Sequence, residues 1–203
     1  MKNNELWAEE TRKIFNGILL FSLAWILYGI VSPIESALSL GDTLSSFAGG
    51  SSLTGGAGTF FSVLSYLLLA GIIVGYVLVL KGLGSFRNLL EPADSKSIGN
   101  VRTAFILALV AAALDIIPFI PGIIGDILYL IAVILMLIGY SQLKASKTFD
   151  GADGASLLLV AMIILIVGWV LDFIPFVGDW IEAICTIVGY ALTLIGWNKI
   201  KNA

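Results

Sequence analysis

Apolar and polar positions alternate along this chain in long blocks. Residues 14–31, 60–80, 103–117 (with a start as early as 98), 126–143, 155–174 and 180–197 are almost wholly apolar. A helix rises 1.5 Å per residue, so ~20 such residues cross a hydrocarbon core of ~30 Å. The pattern predicts six membrane-spanning helices. Between them, polar flanks hold the turn-forming residues: Pro33 after the first run, Pro118 after the third and Pro175 after the fifth. Proline fixes φ and lacks a backbone donor, so it belongs just beyond a helix end. These three prolines are read as outer turns. The stretch 41–58 is rich in Gly, Ser and Thr and reads as a flexible external loop. Glu91-Pro92 reads as the stop of a short interfacial helix, and Asp150-Gly151-Ala152-Asp153-Gly154 as a turn. Trp7, beside the charged N-terminal cluster, reads as an interfacial ring or part of a frayed end.

Composition agrees with the pattern. Of the 203 residues 59% are hydrophobic and 12% charged, and the mean hydropathy is +1.02. A soluble fold of this size cannot hide that much apolar surface. The expected home is a cell membrane, as a multi-pass protein of a prokaryotic plasma or inner membrane.

Charge then orients the spans. All 11 basic residues (2, 12, 13, 81, 87, 96, 102, 144, 147, 199 and 201) fall on the N-terminal segment, the second and fourth connections, or the C-terminal tail. The other connections hold Glu35, Asp42, Asp115, Asp126, Asp172, Asp179 and Glu182. The positive-inside rule places both termini in the cytoplasm.

Shifting the sequence by 57 residues aligns 114–144 with 171–201 without a gap, with 12 identities in 31 positions. The weight rests on Asp115/Asp172, Pro118/Pro175, Phe119/Phe176, Gly139/Gly196 and Lys144/Lys201, because aliphatic matches come cheaply. A first unit joins more loosely through Trp25, Pro33 and Gly75-Tyr76. The expected fold is an all-α integral membrane protein, with six transmembrane helices arranged as three tandem parallel helical hairpins. It forms a single membrane domain over 1–203, with repeat units near 14–86, 98–147 and 155–203.

Candidate chemistry is sparse. The chain has no His and a single cysteine, Cys185. That excludes a disulfide framework, a His or multi-Cys metal site and a Ser-His or Cys-His nucleophile. The Gly/Ser stretch lacks the Lys-Ser/Thr of a phosphate loop, and 150–154 lacks the ligands of a calcium loop. Basic residues are too scattered for nucleic acid. The mitochondrial-carrier signature begins at Pro33-Ile34-Glu35 and fails at Leu38, where a base belongs.

Asp115 and Asp172 stand about 17 residues into their spans, in the outer third of the core. Such acids are a candidate proton or cation site, or else cap their own turns. Asp179, Glu182 and Asp126 read as helix-opening caps, and Trp169, Trp180 and Trp197 as belt residues at span ends. Gly71, Gly75, Gly139 and Gly196 read as helix-packing positions. The functional expectation is a non-enzymatic polytopic protein without cofactors. It packs in the bilayer with itself or with partner subunits through these small-residue faces. The alternative is a small transporter or channel using Asp115 and Asp172.

Overall fold

A computed structural model describes residues 4–47, 56–115, 122–171, 174 and 178–203. Among them there is no strand. Six helices account for nearly all of them: α1 (Asn4–Phe47), α2 (Gly56–Phe86), α3 (Pro92–Asp115), α4 (Gly122–Ala145), α5 (Ala152–Leu171) and α6 (Gly178–Lys201). All six are long and apolar enough to cross a membrane, so the chain is a multi-pass membrane protein. Pro118 and Pro175 lie outside the described residues.

The first half departs most from the sequence expectation. α1 does not end at Ser32-Pro33; it runs 44 residues, with Pro33 inside it. The expected loop at 41–58 is helical at 41–47 and 56–58. The hydroxyls that read as loop chemistry are satisfied along the helix itself. Ser36 Oγ donates to the Ser32 carbonyl at 2.9 Å, Thr43 Oγ1 to that of Ser39 at 2.8 Å, and Ser46 Oγ to that of Thr43 at 2.7 Å. Back-bonding of this kind lets Ser and Thr sit in a helix.

Pro92 is a second correction. α2 continues past Lys81 to Phe86 and closes in a 3-10 turn at Arg87–Leu89, and Pro92 opens α3 rather than stopping a helix. At the first helical position its missing N–H costs nothing and its φ is already helical.

The chain forms two compact units. One, the hairpin unit of the sequence expectation, comprises Leu19–Gly75, with the later part of α1 and the first part of α2. Inside it Gly71 lies where an added Cβ would touch Ala24 at 3.4 Å and Leu20 at 4.0 Å. Glu35 ties the two helices, accepting from Ser62 Oγ at 2.7 Å and from Ser65 Oγ at 2.5 Å.

The other unit comprises Met1–Ile18 and Tyr76–Ala203. Its seams are built on glycine. A Cβ on Gly139 of α4 would stand 2.8 Å from the Ser97 carbonyl and 2.7 Å from Val101 of α3. A Cβ on Gly196 of α6 would stand 3.0 Å from the Gly154 carbonyl and 2.8 Å from Leu158 of α5. All three partners are displaced by 57 positions. A third seam has the same form: Gly82 of α2, another 57 residues back, faces the Glu10 carbonyl at 3.3 Å and Ile14 at 2.6 Å. Gly82 therefore fills the place that the sequence pattern gave to Gly75, which is buried in the hairpin unit.

Where α1 begins and α2 and α6 end, aromatic rings close the unit. Trp7 meets Phe86 edge-on at 4.7 Å and Phe149 at 5.8 Å, and Phe86 meets Trp197 at 6.3 Å. Trp7 is 4% exposed and Trp197 0%, so neither is the interfacial ring that the sequence suggested. Their neighbours in sequence are charged, but the neighbours in space are aromatic. The indole N–H of Trp7 donates to the Ile200 carbonyl at 2.8 Å, joining the first helix to the last. Trp169 and Trp180 are exposed, as belt residues are. Trp7→Phe keeps most of the buried area and loses that bond. Chemical unfolding in mixed micelles should show a loss of about 1 kcal/mol; no loss would mean the bond contributes nothing.

Candidate functional site

Asp115 closes α3, and Asp172 lies outside the described residues. No geometry joins these two acids here. The chemistry that the structure does bring together belongs to tyrosines and to a glutamate read from sequence as a cap.

α6 starts at Gly178, so Glu182 stands past its first turn and is half-buried. Asp126 is likewise past the first turn of α4, which opens at Gly122. Neither is a helix-opening cap. From Glu182 the polar positions Thr186, Tyr190 and Thr193 follow at spacings of four, four and three, which keeps them on one side of α6. All four are half-buried. The Thr193 hydroxyl donates to the Gly189 carbonyl at 2.8 Å, which fixes it within the helix.

Two further phenols approach this side. Tyr129 of α4, 49% exposed, and Tyr76 of α2 lie within electrostatic range of Tyr190, and Glu182 lies within that range of both Tyr129 and Tyr190. Tyr76 and Tyr129 interact with one another as well. Tyr76 is held from behind by Phe105 of α3, edge-on at 5.8 Å. Each of the helices α2, α4 and α6 thus contributes a phenol, and α6 adds a carboxylate.

The oxygens are staggered in depth. Tyr129 lies seven residues into α4, ~10 Å from its start, and Tyr190 twelve residues into α6, ~18 Å from its start. Tyr76 lies ten residues before the end of α2, ~15 Å from it, level with Tyr190, which stands eleven residues before the end of α6; the stagger is between these two and Tyr129. Phenol and carboxyl oxygens both give and take protons or coordinate cations, and in an apolar slab they are costly unless used or paired.

Sequence reading passed over the tyrosines because it counted only residues charged at neutral pH. Tyr76 and Tyr190 are repeat-related, 114 residues apart and each six residues before its seam glycine, Gly82 or Gly196, with Val133 at the middle position; Tyr129 is not, and 57 residues on from it stands Thr186. The available signal was an oxygen-bearing side chain inside each even-numbered apolar run.

The four predicted packing glycines are taken up within the chain. Gly139 and Gly196 lie in the seams above, Gly71 faces α1 and Gly75 is buried. Among the described residues no group of three or more Cys, Asp or Glu is placed to hold a metal ion. Comparison with protein-family models, curated proteins and solved structures finds no match.

Proposed function

We propose that this chain is a non-enzymatic membrane protein that conducts a proton or small cation along the oxygens of α2, α4 and α6. The approach of Tyr76, Tyr129, Tyr190 and Glu182 carries this reading. An ion or proton in hydrocarbon needs successive oxygens to replace its water, and a staggered set supplies them. Asp115 closes α3, Asp126 lies near the start of α4, and Asp172 and Asp179 precede Glu182 by ten and three residues; these acids form the acidic mouth of the proposed path. Asp115 and Asp172 act there by attracting cations, with Glu182 as the first site within the bundle.

The topology is part of the proposal: three parallel hairpins, with both termini in the cytoplasm. Two observations support it. The glycine seams recur at a spacing of 57 residues, and Trp7, Phe86, Phe149 and Ile200 gather the N-terminal segment, both even connections and the C-terminal helix end in one place. The expected membrane is a cell membrane of the prokaryotic plasma or inner type.

A path of this kind is hydrated. In a Cys185→Ser background, Thr186→Cys should react with a small membrane-impermeant thiol reagent. Ile187→Cys, on the exposed apolar side of α6, should not. Equal protection at both positions would remove the path.

A second reading, association with another copy, rests on the hairpin unit. α1 is 44 residues long, ~66 Å, against ~40–45 Å for a whole bilayer. Its outer part carries Pro33, Ala37, Leu40, Leu44 and Phe47 at alternating spacings of four and three, all exposed, Phe47 at 86%. That is the seam spacing of paired helices. Leu44→Cys in the Cys185→Ser background should form a disulfide-linked dimer under mild oxidation in native membranes. A monomer under those conditions would exclude this pairing.

A further inference from the structure

A cleft of about 610 Å3 opens where α1 enters the bundle beside the end of α2 and the first turns of α3. Lys13, Lys81 and Arg102 line it with Ser85 and Asn88, and no carboxylate does. Lys13 is already bridged to Glu9 at 3.0 Å and Glu10 at 2.9 Å, which leaves Lys81 and Arg102 as the effective charges.

Arg102 is the informative residue. Its guanidinium lies against α2 at Gly84, where a Cβ would stand 3.5 Å from its Nε and 3.6 Å from its Cζ. That Nε is buried and has no hydrogen-bond partner among the described residues. Arg87 makes the converse contact, lying against α3 at Gly99, where a Cβ would be 3.7 Å from its Cζ, and its Nε donates to Ser95 Oγ at 3.3 Å. The Arg87 Nε thus has an acceptor, and the Arg102 Nε has none among the described residues. The Arg102 guanidinium also lines the cleft, and a phosphate oxygen is the acceptor best matched to such a group.

We propose that this cleft holds the phosphate headgroup of an anionic phospholipid. The shape of the lining favours lipid over a free phosphate. Leu78 and Leu80 continue the wall from Lys81 toward the interior of α2, so cations meet the headgroup and aliphatic side chains meet what hangs from it. Basic pockets between helices at the cytoplasmic face recognise anionic lipids by this combination. The site is separate from the Tyr/Glu path and does not depend on conduction.

The test uses the full chain, delipidated in an uncharged maltoside detergent. Thermal unfolding is followed as dioleoylphosphatidylglycerol, dioleoylphosphatidylcholine or inorganic phosphate is added. Phosphatidylglycerol should raise the midpoint saturably, with little effect from the other two. Lys81→Gln, which alters only an exposed side chain, should weaken the apparent affinity roughly fivefold, and Lys81→Gln with Arg102→Gln roughly twentyfold or more. Arg87→Gln removes an equal charge outside the cleft and should leave the affinity unchanged. Equal protection by phosphatidylcholine, or unaltered phosphatidylglycerol affinity in the Lys81→Gln variant, would overturn the proposal. Protection by inorganic phosphate alone, lost in the double variant, would overturn the lipid and assign the cleft to a free phosphate.

Discussion

Gly154→Ala is expected to destabilise the protein by about 2 kcal/mol, although it adds a single methyl group. The added Cβ would stand 2.5 Å from the Gly196 carbonyl and 2.6 Å from Ile200 Cγ1, so α5 and α6 must move apart. Overpacking of this kind costs up to ~3 kcal/mol, and the better helix propensity of alanine returns at most ~1 kcal/mol. The sign is therefore set by the seam. Gly29→Ala is the matched control, since nothing lies within 4 Å of its Cβ position and only the propensity gain of up to ~1 kcal/mol remains. Unfolding in mixed detergent micelles compares the two directly. A Gly154→Ala variant as stable as Gly29→Ala would show that the backbones are not in contact there.

The second large effect concerns conduction. Tyr190→Phe removes one oxygen and keeps the ring, and Glu182→Gln keeps the shape and removes the charge. A hydrogen bond to a charged group contributes ~1.5–3 kcal/mol. Losing one from a transition state in the path should slow flux roughly tenfold to a hundredfold. Both variants conserve side-chain volume, and their unfolding midpoints are measured beside the flux. Ile187→Thr, on the exposed apolar side of α6, is the control and should leave the rate unchanged. Slowing by the two former variants with intact stability separates a conducting role from a structural one.

Much of the architecture was legible because a bilayer imposes length and apolarity on whatever crosses it. All six helices stand where the apolar runs stand, and the seams at Gly139 and Gly196 stand where small residues interrupt them. The ends were less legible. α1 overran Pro33 because hydroxyls such as Ser36 and Thr43 have acceptors in their own helix, which composition does not reveal. Trp7 and Trp197 were misplaced for a different reason. An aromatic ring near a charge reads as interfacial until the fold supplies other rings for it to meet. The Gly82 seam was hidden by the first unit's different α1, which shifted the apparent match to Gly75.

The candidate site was the least legible part. Tyr76 and Tyr190 follow the 57-residue period, but Val133 interrupts it at the middle position, so the period does not mark them as a set. Tyr129 follows no period, and helix packing alone makes it their neighbour.

Proton or cation flux through reconstituted protein tests the central claim most directly. Liposomes carrying the purified wild-type chain and a pH-sensitive or cation-sensitive dye should discharge an imposed gradient faster than protein-free liposomes, and faster than liposomes carrying Tyr190→Phe. Discharge no faster than from protein-free liposomes, by folded protein confirmed to be inserted, would contradict the account.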